Sequence, residues 1–276
     1  MVAFRPDRHQ SLGKCLRPWT REERMNDQAP VSTPEILPSR AELTMQAARH
    51  WLTACEASIA ARDAFHCALA GGGTPRQLYR CLATPWAADR IEWSRVWLYQ
   101  SDERVVPPED PLSNWGMIRH ELLDRVPLPP DHGHPMIPDA GAAGDPEGAA
   151  ARYDALLRTR LSQAEDGAPV FDLILLGVGS DGHTASLFPG SPALEERSRY
   201  AVTVETTAVP TQRITLTPPV IESAREVIFL VAGEEKAEIV ARLFSGGDPD
   251  LPVARLRPVG RVRWLLDAAA AAGLSG

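Results

Sequence analysis

The chain has 276 residues, 44 % of them hydrophobic, with a net charge of −7 and a pI near 5.5. That is room for one large α/β domain or two small ones, and too much apolar material for a disordered chain. The acidic balance counts against a sequence-independent nucleic-acid binder, which needs a dense basic face, and no apolar run approaches the ~20 residues that span a bilayer.

Residues 1 to about 32 read as an arm, rich in Arg, Pro and Glu and without a sustained hydrophobic period. It lacks the apolar centre of a secretory signal, and Asp7, Glu22 and Glu23 interrupt a transit-peptide pattern. Met25 is a second candidate start. Cys15, Cys55, Cys67 and Cys81 show neither CxxC nor metal-ligand spacing and read as reduced thiols of a cytoplasmic protein.

Beyond the arm the pattern alternates. Residues 42–62 predict an amphipathic helix, AFHCALA a buried strand, and RQLYRCLA a helix after the turn GGGTP. VWLYQSDE is a strand running into a polar loop, and NWGMIRHELLD is a helix. A Pro/Gly/Asp stretch over 127–148 leads to the helix AAARYDALLRTRLSQ. FDLILLGVG is the most apolar strand. YAVTVET and RITLTP are strand-like, VIESAREV is helical, VIFLVAG is a strand, EEKAEIVARLF a helix, and VRWLLD a last strand. Strands alternating with helices predict one α/β domain over 33–276, a Rossmann-like, mostly parallel sheet with helices on both faces. In such sheets ligands bind outside the carboxyl ends of the strands, so the loops directly after strands carry the function.

Four such loops stand out. In ALAGGGTPRQLY, Gly72, Gly73 and Thr74 precede a helix whose first turn holds Pro75. Backbone N–H groups and the helix N-terminus there suit a phosphate, although the GK[ST] of a Walker loop is missing. A tight strand-to-helix turn is the plainer alternative. In YQSDERVVPPEDPLSNWG, Asp102, Glu103 and Arg104 fall at the ligand edge, and Ser113 or Asn114 can cap the next helix. A solvated charge cluster is the alternative there.

The third loop, GVGSDGHTASLFPG, matches GxGxxG after a strand, and Glu205 lies about 23 residues beyond Gly182, near the acidic position of a dinucleotide site. Two features oppose that reading. Pro189, Gly190 and Pro192 interrupt the helix such a site needs, and Asp181 would set a carboxylate against a diphosphate. A chemical loop explains more. His183 is expected at the start of a short helix, HTASLF, whose dipole keeps the ring neutral and basic; a structural turn is the alternative.

The fourth feature is a pair. Of the 29 basic residues 27 are Arg, and the two Lys are Lys14 and Lys236. Lys236 opens a helix after a strand, where a cation works against the macrodipole, so helix stability does not call for it. Arg213 opens RITLTP; alone it reads as an edge-strand surface charge, but with Lys236 and GGGT it reads as part of a phosphate grip.

Together these stretches, AGGGTP, DERVVPPEDPLSN, GVGSDGHTASLFPG, and RITLTPPVIESA followed by FLVAGEEKAE, resemble the 6-phosphogluconolactonases from about residue 35 to VRWLLD. The glucosamine-6-phosphate deaminases share that fold, but their matching loops read like DEY and DGHIAFNEP. The resemblance implies hydrolysis of 6-phosphoglucono-δ-lactone, the second step of the oxidative pentose phosphate pathway, with no metal and no organic cofactor. It casts His183 as the base toward water, Asp181 as its partner or a sugar contact, and Arg104 as the cation facing the developing oxyanion. Gly72, Gly73, Thr74, Arg213 and Lys236 would hold the phosphate, with Asp102 and Asn114 among the substrate contacts. The family often has Ser where this chain has Ala70. A sugar-phosphate lactone is then the expected partner, with no nucleic acid or membrane, and a monomer is expected. A deaminase-like isomerase and, more remotely, a nucleotide-dependent oxidoreductase are the competing functions.

Overall fold

The computed structural model describes residues 32–245 and 248–274. Of the arm expected over 1–32, all but Ser32 lies outside these residues, as do Cys15 and Lys14. The described residues all fall within one compact unit.

Its centre is a six-stranded parallel sheet. The strands are β1 (Glu35–Leu37), β2 (Phe65–Leu69), β3 (Val96–Gln100), β5 (Leu173–Leu176), β8 (Glu226–Val231) and β9 (Arg261–Asp267), in the order β1-β9-β8-β5-β2-β3. The run LILL shows why no alternation was visible in the sequence. Leu173 and Leu175 point into one core with Cys67, Leu69 and Ile228, while Ile174 and Leu176 point into the other with Ala68, Val227 and Phe229. A strand buried on both faces reads as continuous apolar sequence.

Helices cover both faces. On one, α1 (Arg40–Arg62) buries Leu43, Ala47, Trp51, Leu52 and Cys55, residues three and four apart, and Trp51 meets the edge of Phe65 at 5.0 Å between centroids. Ser39 caps it by accepting the Glu42 N–H, so the helix begins two residues before the expected start at 42. The helix α2 (Gly73–Leu82) lies on the same face, and α4 (Pro146–Arg160) on the other, burying Ala149, Ala150, Tyr153 and Leu157. Two shorter helices are α3 (Asn114–Glu121) and α5 (Pro218–Ser223).

The sheet is mostly parallel, as expected, and two helix expectations need correction. The strands β6 (Ala201–Glu205) and β7 (Gln212–Leu216), strand-like in the sequence, lie outside the parallel sheet. With β4 (Asp102–Arg104) they form a separate antiparallel one, in the order β4-β7-β6. The cause is their connection: the short link 206–211 makes a hairpin, whereas a parallel crossover needs a dozen residues or more. Next, HTASLF is not a helix. Thr184 and Leu187 bridge across a turn in which Ala185 has φ +49°, a backbone no helix contains. Finally, EEKAEIVARLF is not one helix: Glu234–Lys236 is a 3-10 turn, and α6 (Ala237–Phe244) begins after Lys236, its N-cap.

Candidate active site

Because β8, β5, β2 and β3 are parallel neighbours, their carboxyl ends share one edge, and the loops at 232–236, 177–190, 70–74 and 101–104 lie there side by side. The small β4-β7-β6 sheet adjoins this edge: the Leu216 N–H donates to the Ser101 carbonyl, and the Ser101 N–H to the Leu69 carbonyl.

His183 Nδ1 lies 2.5 Å from Asp181 Oδ1, and the His183 backbone N–H donates to the same oxygen at 3.1 Å. An ionised carboxylate accepts, so Nδ1 carries the proton and Nε2 holds the lone pair. Partial burial pushes the Asp181 carboxyl up, but the His183 backbone N–H and ring N–H that donate to it hold it below the usual carboxylate value. The expected helix dipole is absent; Asp181 sets the tautomer instead. The loop is shaped for this contact. The Gly179 N–H donates to the His183 carbonyl at 2.8 Å, and a Cβ on Gly179 would collide with the imidazole. Phe188 flanks the ring at 4.6 Å between centroids.

Arg104 and Arg213 are partners across the β4–β7 ladder. Arg213 is only 7 % exposed, which removes the surface-charge alternative, and its Nε has no hydrogen-bond partner among the described residues. Burial and the neighbouring Arg104 both lower its pKa. Arg104 Nη1 donates to the Leu112 carbonyl at 2.7 Å. Two adjacent cations without an ion pair are costly unless an anion joins them.

Asp102 Oδ2 accepts from the Ser186 hydroxyl at 2.8 Å, and the Ser186 N–H donates to Thr215 Oγ1, which ties the histidine loop to both β4 and β7. Ser113, not Asn114, caps α3, accepting the Gly116 N–H. Asn114 instead turns inward: Nδ2 donates to the Asp102 carbonyl, and the buried Oδ1 has no partner among the described residues.

At α2, Gly72 is the N-cap with φ +99°, and no side chain satisfies the cap. The N–H groups of Gly72, Gly73 and Thr74 reach no acceptor among the described residues, and no atom lies within 4 Å of a Cβ built on Gly72 or Gly73. Pro75, third in the helix, has no N–H to satisfy. Ala70 keeps its carbonyl on the Tyr79 hydroxyl, so the missing serine leaves the turn intact. Lys236 is half-buried, and its ammonium has no partner among the described residues. The Gly233 turn before it is held by Asp267, which accepts the Gly233 N–H at 3.0 Å.

The structure thus joins Asp102, Arg104, Asn114, Ser186 and Arg213 through direct contacts. Gly72–Thr74 and Lys236 sit on neighbouring loops, and their side chains bond to none of the others. Sequence reading did not single out Ser186 or Gly179; their roles depend on the loop's path, which glycine spacing alone does not give. A recess of about 820 Å³ adjoins the site through Asp181 but is otherwise lined by Glu195, Glu196, Arg199 and Glu205 among others, a poor seat for a phosphate. Among the described residues no group of three or more His, Cys, Asp or Glu is arranged to hold a metal, and no helix is long and apolar enough to cross a membrane.

A 6-phosphogluconolactonase from Nostoc sp. is 38 % identical over 245 residues, covering 88 % of this chain and 98 % of that protein. One from Mycobacterium tuberculosis is 41 % identical over 247 residues, with the same coverage. Among solved structures, a 6-phosphogluconolactonase from Trypanosoma brucei superposes with a TM-score of 0.76 at 31 % identity, covering 90 % of this chain and all of that one. A monomeric glucosamine-6-phosphate deaminase shares the fold, with a TM-score of 0.73 at 24 % identity. The profile of the glucosamine-6-phosphate isomerases/6-phosphogluconolactonase family matches residues 38–264, and the chain belongs to that family.

Proposed function

We propose that this chain hydrolyses 6-phosphoglucono-δ-lactone to 6-phosphogluconate, in the oxidative pentose phosphate pathway. The observation that carries the reading is the His183–Asp181 contact at 2.5 Å, which leaves Nε2 as a free base on a loop at the ligand edge. The curated relatives named above support it.

In this mechanism Nε2 takes a proton as water attacks the lactone carbonyl carbon. The carbonyl oxygen becomes an oxyanion beside Arg104. When the ring C–O bond breaks, the imidazolium returns its proton to the leaving ring oxygen, which becomes a hydroxyl. Atoms and charge balance without a covalent intermediate. A positioned base contributes about 10²–10⁴-fold and one oxyanion donor about 10²–10³-fold, enough for an ester already activated by its ring. The N–H groups of Gly72, Gly73 and Thr74, with Arg213 and Lys236, hold the phosphate; Asp102 and Asn114 contact the sugar. Residues 33–276 act as one catalytic domain, a cytoplasmic monomer that uses no cofactor.

The test is hydrolysis of freshly generated lactone compared with ammonia release from glucosamine 6-phosphate. Lactone opening well above the spontaneous rate, with no ammonia released, is expected. Ammonia release with no lactone opening would overturn the reading.

A further inference from the structure

Glu103 lies between two residues of the site, Asp102 and Arg104, yet it is fully buried at 0 % exposure and touches no solvent. Its carboxylate accepts five hydrogen bonds. Oε1 takes the backbone N–H groups of Arg104 and Asn114, both at 2.7 Å. Oε2 takes the Trp115 N–H at 2.7 Å, Gln100 Nε2 at 2.8 Å and the Ser113 hydroxyl at 3.2 Å. Burial pushes this carboxyl above the ordinary carboxylate value, and the donors from Gln100, Asn114, Trp115 and Arg104 offset only part of that rise. Four of the five partners can only donate, so the ionised form is the one that the surroundings fit. No arginine or lysine pairs with it among the described residues.

The two oxygens grip both ends of one loop. Arg104 begins the 105–113 segment, and Ser113, Asn114 and Trp115 end it. Within that segment Leu112 supplies the carbonyl that receives Arg104 Nη1. The guanidinium is therefore fixed at its backbone by Glu103 and at its tip by a loop whose far end Glu103 also holds. Asn114 hangs from the same carboxylate by its N–H, with its side chain turned onto the Asp102 carbonyl.

We infer that Glu103 is a positioning residue: its buried carboxylate closes the 105–113 loop and so aims Arg104 and Asn114 at the substrate. This rests on the lactonase reading for its rate measurements, but not for its binding measurement. Glutamine at 103 keeps the shape and turns an NH₂ toward donors, so at least one backbone N–H loses its acceptor. Glu121 gives the comparison. It is a buried carboxylate at the carboxyl end of α3, bound to Arg80 of α2, with Arg76 at 3.9 Å, and it hydrogen-bonds none of Asp102, Arg104, Asn114 or Arg213.

The experiment measures kcat, KM, melting temperature and calorimetric binding for the full-length wild type, Glu103→Gln and Glu121→Gln. Glu103→Gln is expected to lower kcat by about 10- to 100-fold, as misaimed catalytic groups do. It should weaken 6-phosphogluconate, whose carboxylate lies where the carbonyl was, more than it weakens inorganic phosphate. Glu121→Gln should lose melting temperature without either effect. If the two variants lose activity only in step with stability, or if Glu103→Gln weakens both ligands equally, the inference falls. If Glu103→Gln does not fold, Gln100→Met removes one of the five bonds: a smaller kcat loss in a folded protein supports the idea, and an unchanged kcat ends it. A wild type that binds 6-phosphogluconate but opens no lactone sinks the lactonase reading alone, since the ligand ratio still reports on Glu103.

Discussion

Arg213 faces Arg104 across the β4–β7 ladder, and neither forms an ion pair among the described residues. Burying one cation beside another lowers the stability of the empty protein, and an arriving phosphate reverses the sign. Arg213→Met keeps most of the volume and removes the charge. The empty variant is expected to melt no lower than wild type, and its kcat/KM for the 6-phospho-lactone to fall by more than about 100-fold. Melting curves with and without inorganic phosphate check this. Phosphate should raise the melting temperature of the wild type and not of the variant.

The His183–Asp181 contact separates two kinds of loss. His183→Ala removes the base, so kcat should fall by about 10²–10⁴-fold with KM little changed. Asp181→Asn keeps the size, and its amide oxygen can take the place of Oδ1 against both His183 N–H groups, but it removes the negative charge that stabilises the imidazolium formed in the reaction. A kcat loss approaching that of His183→Ala is expected, and the double variant should be little worse than either alone. Steady-state kinetics of the three variants decide it; additive losses would mean that the two residues act separately.

Gly71 and Gly73 lie two residues apart with opposite surroundings. A Cβ on Gly71 would run into the Asn114 side-chain amide, while one on Gly73 meets nothing within 4 Å. Gly71→Ala should therefore destabilise the protein by about 1–3 kcal/mol, as overpacking does, and displace Asn114. Gly73→Ala should leave melting unchanged and weaken phosphate binding, because its methyl enters the space where the N–H groups point. Chemical denaturation and phosphate calorimetry on both variants test the contrast.

Much of this site was legible in the sequence because the parallel sheet makes it so. The loop letters after LILL, FHCAL and VWLYQ are the ones that meet at the carboxyl edge of the sheet, where the candidate site lies. Three things were hidden. The antiparallel β4-β7-β6 sheet was missed because a strand such as DER, three residues long, shows no periodicity at all. The turn at HTASLF looked helical because Ala and Leu favour helices; the tertiary bonds from Ser186 to Asp102 and Thr215, with the local Thr184–Leu187 bridge, override that preference. Glu103 could not be told from Asp102 because burial, not residue type, separates them: Glu103 is fully buried and Asp102 is not.

Away from the site, three histidines pack on Trp97 and Tyr99. His132 stacks on Trp97 at 3.6 Å, and His134 lies 4.6 Å from Tyr99 with its Nε2 buried and unpartnered among the described residues. Burial, then Arg160, His132 and His66, press the His134 pKa down from 6.5 to about 4; Asp131 opposes them weakly. The unfolded chain thus binds the proton more tightly, so stability is lost as pH falls from about 6.5 toward 4. The loss over that window should amount to about 3 kcal/mol and shrink in His134→Phe. Urea titrations at pH 7, 5.5 and 4.5 measure it; an equal slope in the variant would assign the acid sensitivity elsewhere.

Lys236 gives the sharpest separation of binding from chemistry. It is the one lysine among the described residues, it caps α6 from the wrong end of the dipole, and its ammonium reaches no partner there. If it holds the phosphate, it acts on a group remote from the reacting carbonyl, and its effect appears in KM, or in kcat as well if the phosphate also orients the ring. Lys236→Ala is expected to cut kcat/KM for the 6-phospho-lactone by about 10- to 100-fold, ~1.4–2.7 kcal/mol, the range of a charge-assisted contact. Unphosphorylated glucono-δ-lactone has no phosphate to lose, so its hydrolysis should hardly change. Lys236→Arg should recover only part of the loss, because the Asp267-held turn at Gly233 sets the reach of the backbone and a planar fork does not replace a compact point charge. Equal losses on both lactones would show that Lys236 serves the fold or the chemical step, and the phosphate grip would then rest on Arg213 and the α2 N–H groups alone.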